Sequence, residues 1–230
     1  MNQPFEYSGK ELQVFKNATN WKKYYSKKLK PFIKGTVLEV GAGLGETTPF
    51  LLNENVKEWT SLEPDETLYE TLKAKNSGTI IQGSIQNLAI SQTFDTILYI
   101  DVLEHIENDI AEIEVATKHL NKGGCLIILS PSYNFLMSEF DREIGHFRRY
   151  SRKGLLKVVN NSSLKLLKIF HLETAGVLLL LINKYILRKK YPTRGNIKFW
   201  DKYFIPISKL TDKLLNYSTG KTIIGIWQKQ

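Results

Sequence analysis

The chain has 230 residues, 42% of them hydrophobic, with a formal net charge of +9. That length suits one sizeable core with elaborations and excludes two full domains, and the composition is ordinary for a globular protein. A single cysteine, Cys125, excludes an internal disulfide; in the run Cys125-Leu126-Ile127-Ile128-Leu129 it reads as a buried strand thiol. The start, Met1-Asn2-Gln3-Pro4-Phe5-Glu6, lacks the basic-then-apolar layout of a secretory signal. The expected location is therefore cytoplasmic.

The charge is unevenly spread. Residues 1–34 carry +6, residues 35–141 carry −12, residues 142–182 carry +6 and residues 183–230 carry +9. An acidic middle between basic flanks points to an anionic partner: a phosphorylated substrate, an anionic membrane surface or RNA. Solvated surface charge is the bland alternative.

In chain order, residues 5–34 interleave Phe5, Tyr7, Leu12, Phe15, Trp21, Tyr24, Tyr25, Leu29 and Phe32 with lysines, which predicts one or two amphipathic helices closed by Pro31 and Gly35. Residues 36–41 read as a strand, 45–54 as a helix and 58–63 as a strand stopped by Pro64. A helix N-capped by Asp65 runs to Asn76-Ser77-Gly78, followed by strands at 79–83 and 94–100. A helix at 108–120 turns at Gly123-Gly124 into a strand at 125–130. Residues 133–150 read as an insertion over the site. Beyond it come a helix from Ser151 to 161, a strand over 164–174, a very apolar helix over 175–190, an amphipathic helix over 197–217 and a last strand from Thr222.

Strands alternating with helices at this spacing imply a Rossmann-like, doubly wound α/β fold with a mostly parallel seven-stranded sheet. The whole chain, 1–230, reads as one domain: a helical extension at 1–34, a ligand-binding core at 35–131, cap and C-terminal helices at 132–221 and a final strand at 222–230. Ligands bind beyond the carboxyl ends of such strands, where Glu63, Ser84, Asp101 and Ser130 fall. The densest signal is Val37-Leu38-Glu39-Val40-Gly41-Ala42-Gly43-Leu44-Gly45-Glu46: an apolar strand, then alternate glycines that allow positive φ or close ligand approach.

With Glu63, Asp101-Val102-Leu103-Glu104-His105-Ile106 and Leu120-Asn121-Lys122-Gly123-Gly124, this stretch resembles the class I S-adenosylmethionine-dependent methyltransferases over residues 33–131. It looks most like the small-molecule branch that includes ubiquinone-type and sugar-modifying O-methyltransferases. Gly145-His146-Phe147-Arg148-Arg149-Tyr150-Ser151 resembles a segment of a bacterial subgroup associated with glycan and lipid-linked sugar biosynthesis. The resemblance implies binding of S-adenosyl-L-methionine, with S-adenosyl-L-homocysteine as product. Gly41, Ala42, Gly43 and Gly45 would let the backbone approach the cofactor, and Glu39 would hold that loop. Glu63 would accept the ribose hydroxyls, Ser84 and Ile85 would border the adenine, and Asp101 would face the methionine ammonium. Ser84 departs from the Asp frequent there in the family. Asp101 also fits a helix N-cap, His105 a packing role, and Glu104 and Glu107 solvated or helix-terminal charges.

Methyl transfer to a hydroxyl benefits from a base with a pKa near the operating pH, which favours histidine. His146, in the predicted insertion, is the candidate. Arg148 and Arg149, before a helix start, would clamp an anionic group on the acceptor, with Tyr150 beside them; salt bridges to Asp141 or Glu143 are the alternative. No Asp, Glu, His or Cys cluster at metal-ligand spacing is visible, so no metal is expected. Ala175–Ile182 is too short to span a bilayer but precedes Lys184, Arg188, Lys189 and Lys190, a layout that fits either a buried cap helix or an interfacial one. The expected acceptor is therefore a small or lipid- or sugar-linked anionic molecule, with possible peripheral contact at the inner membrane surface. The competing readings are an RNA methyltransferase, for which the basic flanks speak, and a non-catalytic binding protein of the same fold. A nicotinamide dehydrogenase is disfavoured by Glu46, where a dinucleotide turn needs glycine or alanine.

Overall fold

A computed structural model describes residues 10–75, 78–161, 163–187 and 191–230. The expected contributions of Phe5 and Tyr7, the helix end at Asn76-Ser77 and the basic tail at Arg188, Lys189 and Lys190 lie outside these. Helices α1 (Lys10–Phe15) and α2 (Thr19–Leu29) precede β1 (Gly35–Val40). Then follow α3 (Thr48–Leu51), β2 (Val56–Glu63), α4 (Glu66–Ala74), β3 (Thr79–Gln82), β4 (Phe94–Ile100), α5 (Asp109–Lys118) and β5 (Leu120–Pro131). The remainder is α6 (Glu139–Glu143), α7 (Arg152–Val158), β6 (Leu164–Leu172), α8 (Thr174–Ile182), α9 (Arg194–Phe199), α10 (Ile205–Leu214) and β7 (Thr222–Lys229).

The seven strands form one sheet in the order β3-β2-β1-β4-β5-β7-β6. β1 pairs in parallel with both β2 and β4, and β7 runs antiparallel between β5 and β6. The order reverses at β1, so the crevice beyond β1 and β4 is where this topology accepts a ligand. Alternation places the core on both faces. Ile97 and Tyr99 of β4 and Leu126 and Ile128 of β5 pack toward α5 and α7. Leu98, Ile127 and Leu129 pack toward α2 and the Trp200–Ile205 region. Burial on both sides explains why these strands read as unbroken apolar runs.

Several boundaries depart from expectation for local reasons. The helix expected over 45–54 is only Thr48–Leu51, because Gly41, Gly43 and Gly45 all take positive φ and keep the chain in a turn. The strand expected to reach 174 stops at Leu172, where Glu173 adopts a left-handed φ of 71°. The last long helix is interrupted by a π-helical segment at Trp200–Phe204 and ends at Leu214, with Asn216 and Tyr217 at positive φ. α8 continues into a π segment at Asn183–Leu187. The cap at Asp65 forms as expected, its side chain accepting from the Leu68 amide at 2.9 Å.

Candidate active site

The loop leaving β1 is shaped by its glycines. Gly41 has φ of 65°, and a Cβ there would lie 2.7 Å from Val102 Cγ2. The Gly41 and Ala42 amides both donate to the Leu62 carbonyl, at 2.7 and 3.1 Å, which folds the loop across the end of β2. Glu63, the last residue of β2, fastens its middle: Oε2 accepts from the Gly43 amide at 2.7 Å and Oε1 from the Asp65 amide at 3.0 Å. Burial pushes the Glu63 carboxyl up, against the pull of these two bonds. A carboxylate has about four acceptor positions, so this one retains capacity for further donors.

Glu39 lies one strand inward and is buried. Its Oε2 accepts from the Thr48 hydroxyl at 2.6 Å and the Trp59 indole at 3.1 Å, tying the start of α3 to β1 and β2. Burial pushes its carboxyl up to about 7. Beyond β3, the Gly83 amide donates to the Glu63 carbonyl at 3.0 Å, which brings Ser84 to the same edge. The Ser84 hydroxyl is bonded to Asn87 Oδ1 at 2.9 Å. Ile85 is a correction: its side chain has no exposure and packs in the core, so only its backbone can border a ligand.

At the end of β4, Asp101 takes a positive φ of 54°. Solvent reaches its side chain, yet the surrounding protein crowds it and pushes its carboxyl up to about 6, opposed by His146, Lys221 and Arg149. The chain then enters a tight 3₁₀ turn at Leu103–His105. Glu104 is a second correction. Far from being solvated, it is fully buried, and its Oε2 accepts from Ser130 Oγ at the end of β5 at 2.9 Å. Its carboxyl is held well above the usual range by burial and by Asp101.

Segment 133–150 folds back over these strand ends, as expected of an insertion. The Phe147 amide donates to the Glu104 carbonyl at 2.9 Å, and the Tyr150 amide donates to the Pro131 carbonyl at 2.8 Å. His146 arrives here with its ring edge-on to His105, the centroids 4.5 Å apart. Its Nδ1 lies 3.3 Å from Asp141 Oδ1, and its Nε2 lies 4.0 Å from Glu104 Oε1. Burial and the neighbouring His146 lower His105 to about 3. The returning segment brings Glu104, His105 and His146 together, a grouping of possible ligand atoms that sequence spacing did not display.

Arg148 and Arg149 both engage the protein's own carboxylates, the alternative to an acceptor clamp. Arg149 is buried and forks onto Asp141, with Nε on Oδ2 at 3.1 Å and Nη2 on Oδ1 at 2.7 Å. Against burial, the His146 and Arg149 partners hold the Asp141 carboxyl well below the usual range. Arg148 places Nη1 2.6 Å from Asp109 Oδ2 and donates from Nη2 to the Glu107 carbonyl at 2.6 Å. Tyr150 is buried and donates to Asp109 Oδ2 at 2.7 Å. All three side chains serve the protein's own carboxylates, because the segment needs internal partners to lie flat on the sheet.

Residues 13–169, well over half of the chain, match the family model described as a methyltransferase domain. The chain belongs to this methyltransferase family. It is a class I S-adenosylmethionine-dependent methyltransferase. Solved structures agree in fold. A chain of the complex between a methyltransferase activator and a methyltransferase of Haloferax volcanii is 12% identical with a TM-score of 0.69, the match covering 98% of this chain and 99% of that one. An S-adenosylmethionine-dependent methyltransferase from Clostridium acetobutylicum is 13% identical with a TM-score of 0.58, covering 93% and 92%. The plantazolicin methyltransferase, solved with S-adenosylhomocysteine, is 14% identical with a TM-score of 0.56, covering 95% and 84%. No curated protein matches by sequence.

The residues present fit the cofactor of the methyltransferase. The loop has no Cβ at Gly41, Gly43 and Gly45, Glu63 retains acceptor capacity, and Asp101 sets a solvent-reachable negative charge at the strand ends, opposite in sign to a sulfonium and an ammonium. Sequence reasoning missed Thr48, Trp59 and Val102, which shape the loop, and misread Glu104. The signal for Glu104 was the apolar Val102-Leu103 pair before it, which leaves its turn buried once β4 pairs with β5.

Proposed function

We propose that this methyltransferase transfers a methyl group to a hydroxyl of a small or lipid- or sugar-linked acceptor. The observation that carries the reading is the pair of imidazoles, His105 and His146, with His146 near enough to Asp101 to act on its carboxyl. When bound, the cofactor would supply an electrophilic methyl group on a sulfonium, with a neutral thioether as its leaving group. Glu63 would hold the ribose hydroxyls, the Gly41–Gly45 backbone would receive the methionine portion, and Asp101 would meet the ammonium. Ser84 and the Ile85 backbone would border the adenine. His146, whose Nδ1 lies 3.3 Å from Asp141 Oδ1, would be the group placed to take a hydroxyl proton.

The anionic character of the acceptor rests on the basic flanks, since Arg148 and Arg149 are spent internally. A surface beyond the 175–190 segment supports contact with an anionic bilayer. Phe199, Tyr203, Ile207, Leu210 and Leu214 are each about half exposed or more and recur every three or four residues along α9 and α10. Lys198, Lys202, Lys209 and Lys213 are exposed among them. α8 packs against α10 and is itself only half buried. Apolar side chains flanked by lysines on one helical face make an interfacial layout. Among the described residues no helix is long and apolar enough to cross a membrane.

The test supplies the methyl-labelled donor together with a membrane lipid extract. Label in a base-stable, lipid-extractable ether supports the reading, and label confined to RNA or to base-labile esters sinks it. Co-flotation with vesicles containing anionic lipid, lost on charge reversal of Lys202 and Lys209, supports membrane contact; no flotation refutes it.

A further inference from the structure

The imidazole pair belongs to a tighter constellation than base catalysis requires. One ligand atom each from Glu104, His105 and His146 lie within 4.8 Å of one another. They come from two segments, the 3₁₀ turn after β4 and the strap that returns over it, and the 2.9 Å bond between the Phe147 amide and the Glu104 carbonyl pins the two together.

Glu104 supplies an independent observation. Its side chain has no solvent exposure, and Ser130 satisfies Oε2. Oε1 has no hydrogen-bond partner among the described residues, and the nitrogen facing it, His146 Nε2, stands 4.0 Å away. A buried carboxylate oxygen left bare is costly, and such groups are paired or bind metals. The imidazoles have defined surroundings as well. His105 is hydrogen-bonded to the backbone of Ile144 and Gly145, while His146 Nδ1 lies 3.3 Å from Asp141 Oδ1 but, like Glu104 Oε1, has no hydrogen-bond partner among the described residues. Neighbours around a histidine set its orientation toward a cation.

We propose that Glu104, His105 and His146 form a divalent-cation site, with a free coordination position facing Asp101 and the acceptor. Two imidazole nitrogens and one carboxylate oxygen suit zinc or its neighbours rather than magnesium or calcium, and three protein ligands leave room for another oxygen. Metal–ligand bonds of about 2.0–2.2 Å place ligand atoms roughly 3.3 Å apart, so the cluster contracts modestly on binding. Resting on the functional reading above, the role that follows is to bind the acceptor hydroxyl and lower its pKa, with the proton passing to solvent. His146 is then a ligand rather than the base.

The experiment uses full-length protein stripped with a chelator and titrated with Co²⁺, read by visible absorption, and with Zn²⁺, read by calorimetry. The expected result is one equivalent bound with nitrogen–oxygen ligand-field bands. Glu104→Gln and His146→Gln are each expected to weaken binding by about 100-fold or more, while S-adenosylhomocysteine affinity, measured on the same samples, stays within about twofold. His119→Gln, remote from the cluster, keeps the site. Absence of stoichiometric binding to the wild-type protein overturns the proposal, as does undiminished binding by both cluster variants. Should Glu104→Gln fail to fold, the less buried His146→Gln decides. Cobalt binding without any S-adenosylhomocysteine binding would count against the functional reading and leave the cation site standing.

Discussion

The carboxylate of Glu63 accepts the Gly43 amide at 2.7 Å, so the side chain proposed to hold the ribose also holds the loop that faces it. Loss of this carboxylate therefore removes two interactions at once. Glu63→Ala is predicted to lower S-adenosylhomocysteine affinity by about 10- to 100-fold, the worth of one or two charge-assisted hydrogen bonds. Glu63→Gln should fall between. Unchanged heats in calorimetry would refute the assigned role.

Gly41 has no room for a side chain. Its φ is +65°, and an added Cβ would lie 2.7 and 2.9 Å from the two γ-carbons of Val102, a β-branched and stiff neighbour. Gly41→Ala is predicted to cost about 2 kcal/mol, combining left-handed strain with the clash. Thermal denaturation measures it. Pairing the change with Val102→Ala should recover the steric part and not the backbone part.

Arg149 and Asp141 form a buried fork, and removing one partner strands the other charge. Arg149→Ala is predicted to destabilise the protein by about 3–5 kcal/mol, read as a lower denaturation midpoint. A rise in acceptor KM with stability intact would instead favour the acceptor clamp over the internal fork.

Glu39 titrates at about 7 in the folded protein, against about 4.3 in an unfolded chain. Between these values the folded state keeps a proton that the unfolded state has lost. The stability contributed by Glu39 is therefore full below pH 4.3, declines as pH rises through 7 and is flat above. Glu39→Gln is predicted to remove about 2 kcal/mol of that slope, measured by urea denaturation across pH 5 to 8. Glu173, also raised to about 7 by burial, leaves a residual slope of the same sign.

Much of the fold was legible because its signals are local. The apolar runs of β1, β4 and β5 are buried on both faces, and Asp65 and Ser151 cap the helices that follow them. The three glycines after Val40 marked the loop proposed to meet the cofactor for the same reason: positive φ is a property of the residue itself. Boundaries were less legible where strain or a distant partner decides them, as at Glu173 or at the glycine-delayed start of α3.

The amino-acid sequence by itself determined the order of strands and helices, the carboxyl-end loop and the acids beside it, since periodicity, backbone preference and turn chemistry act over a few residues. Tertiary structure alone decided partnership. α2 has no side-chain cap of its own, and Asp201, from the far end of the chain, accepts the Asn20 and Trp21 amides at 3.1 and 2.8 Å. Arg149 turned inward to Asp141 rather than outward to an acceptor, and His146 came to rest on Glu104 and His105. A charged side chain takes whichever partner the folded chain desolvates beside it, and spacing along the sequence carries no record of that choice.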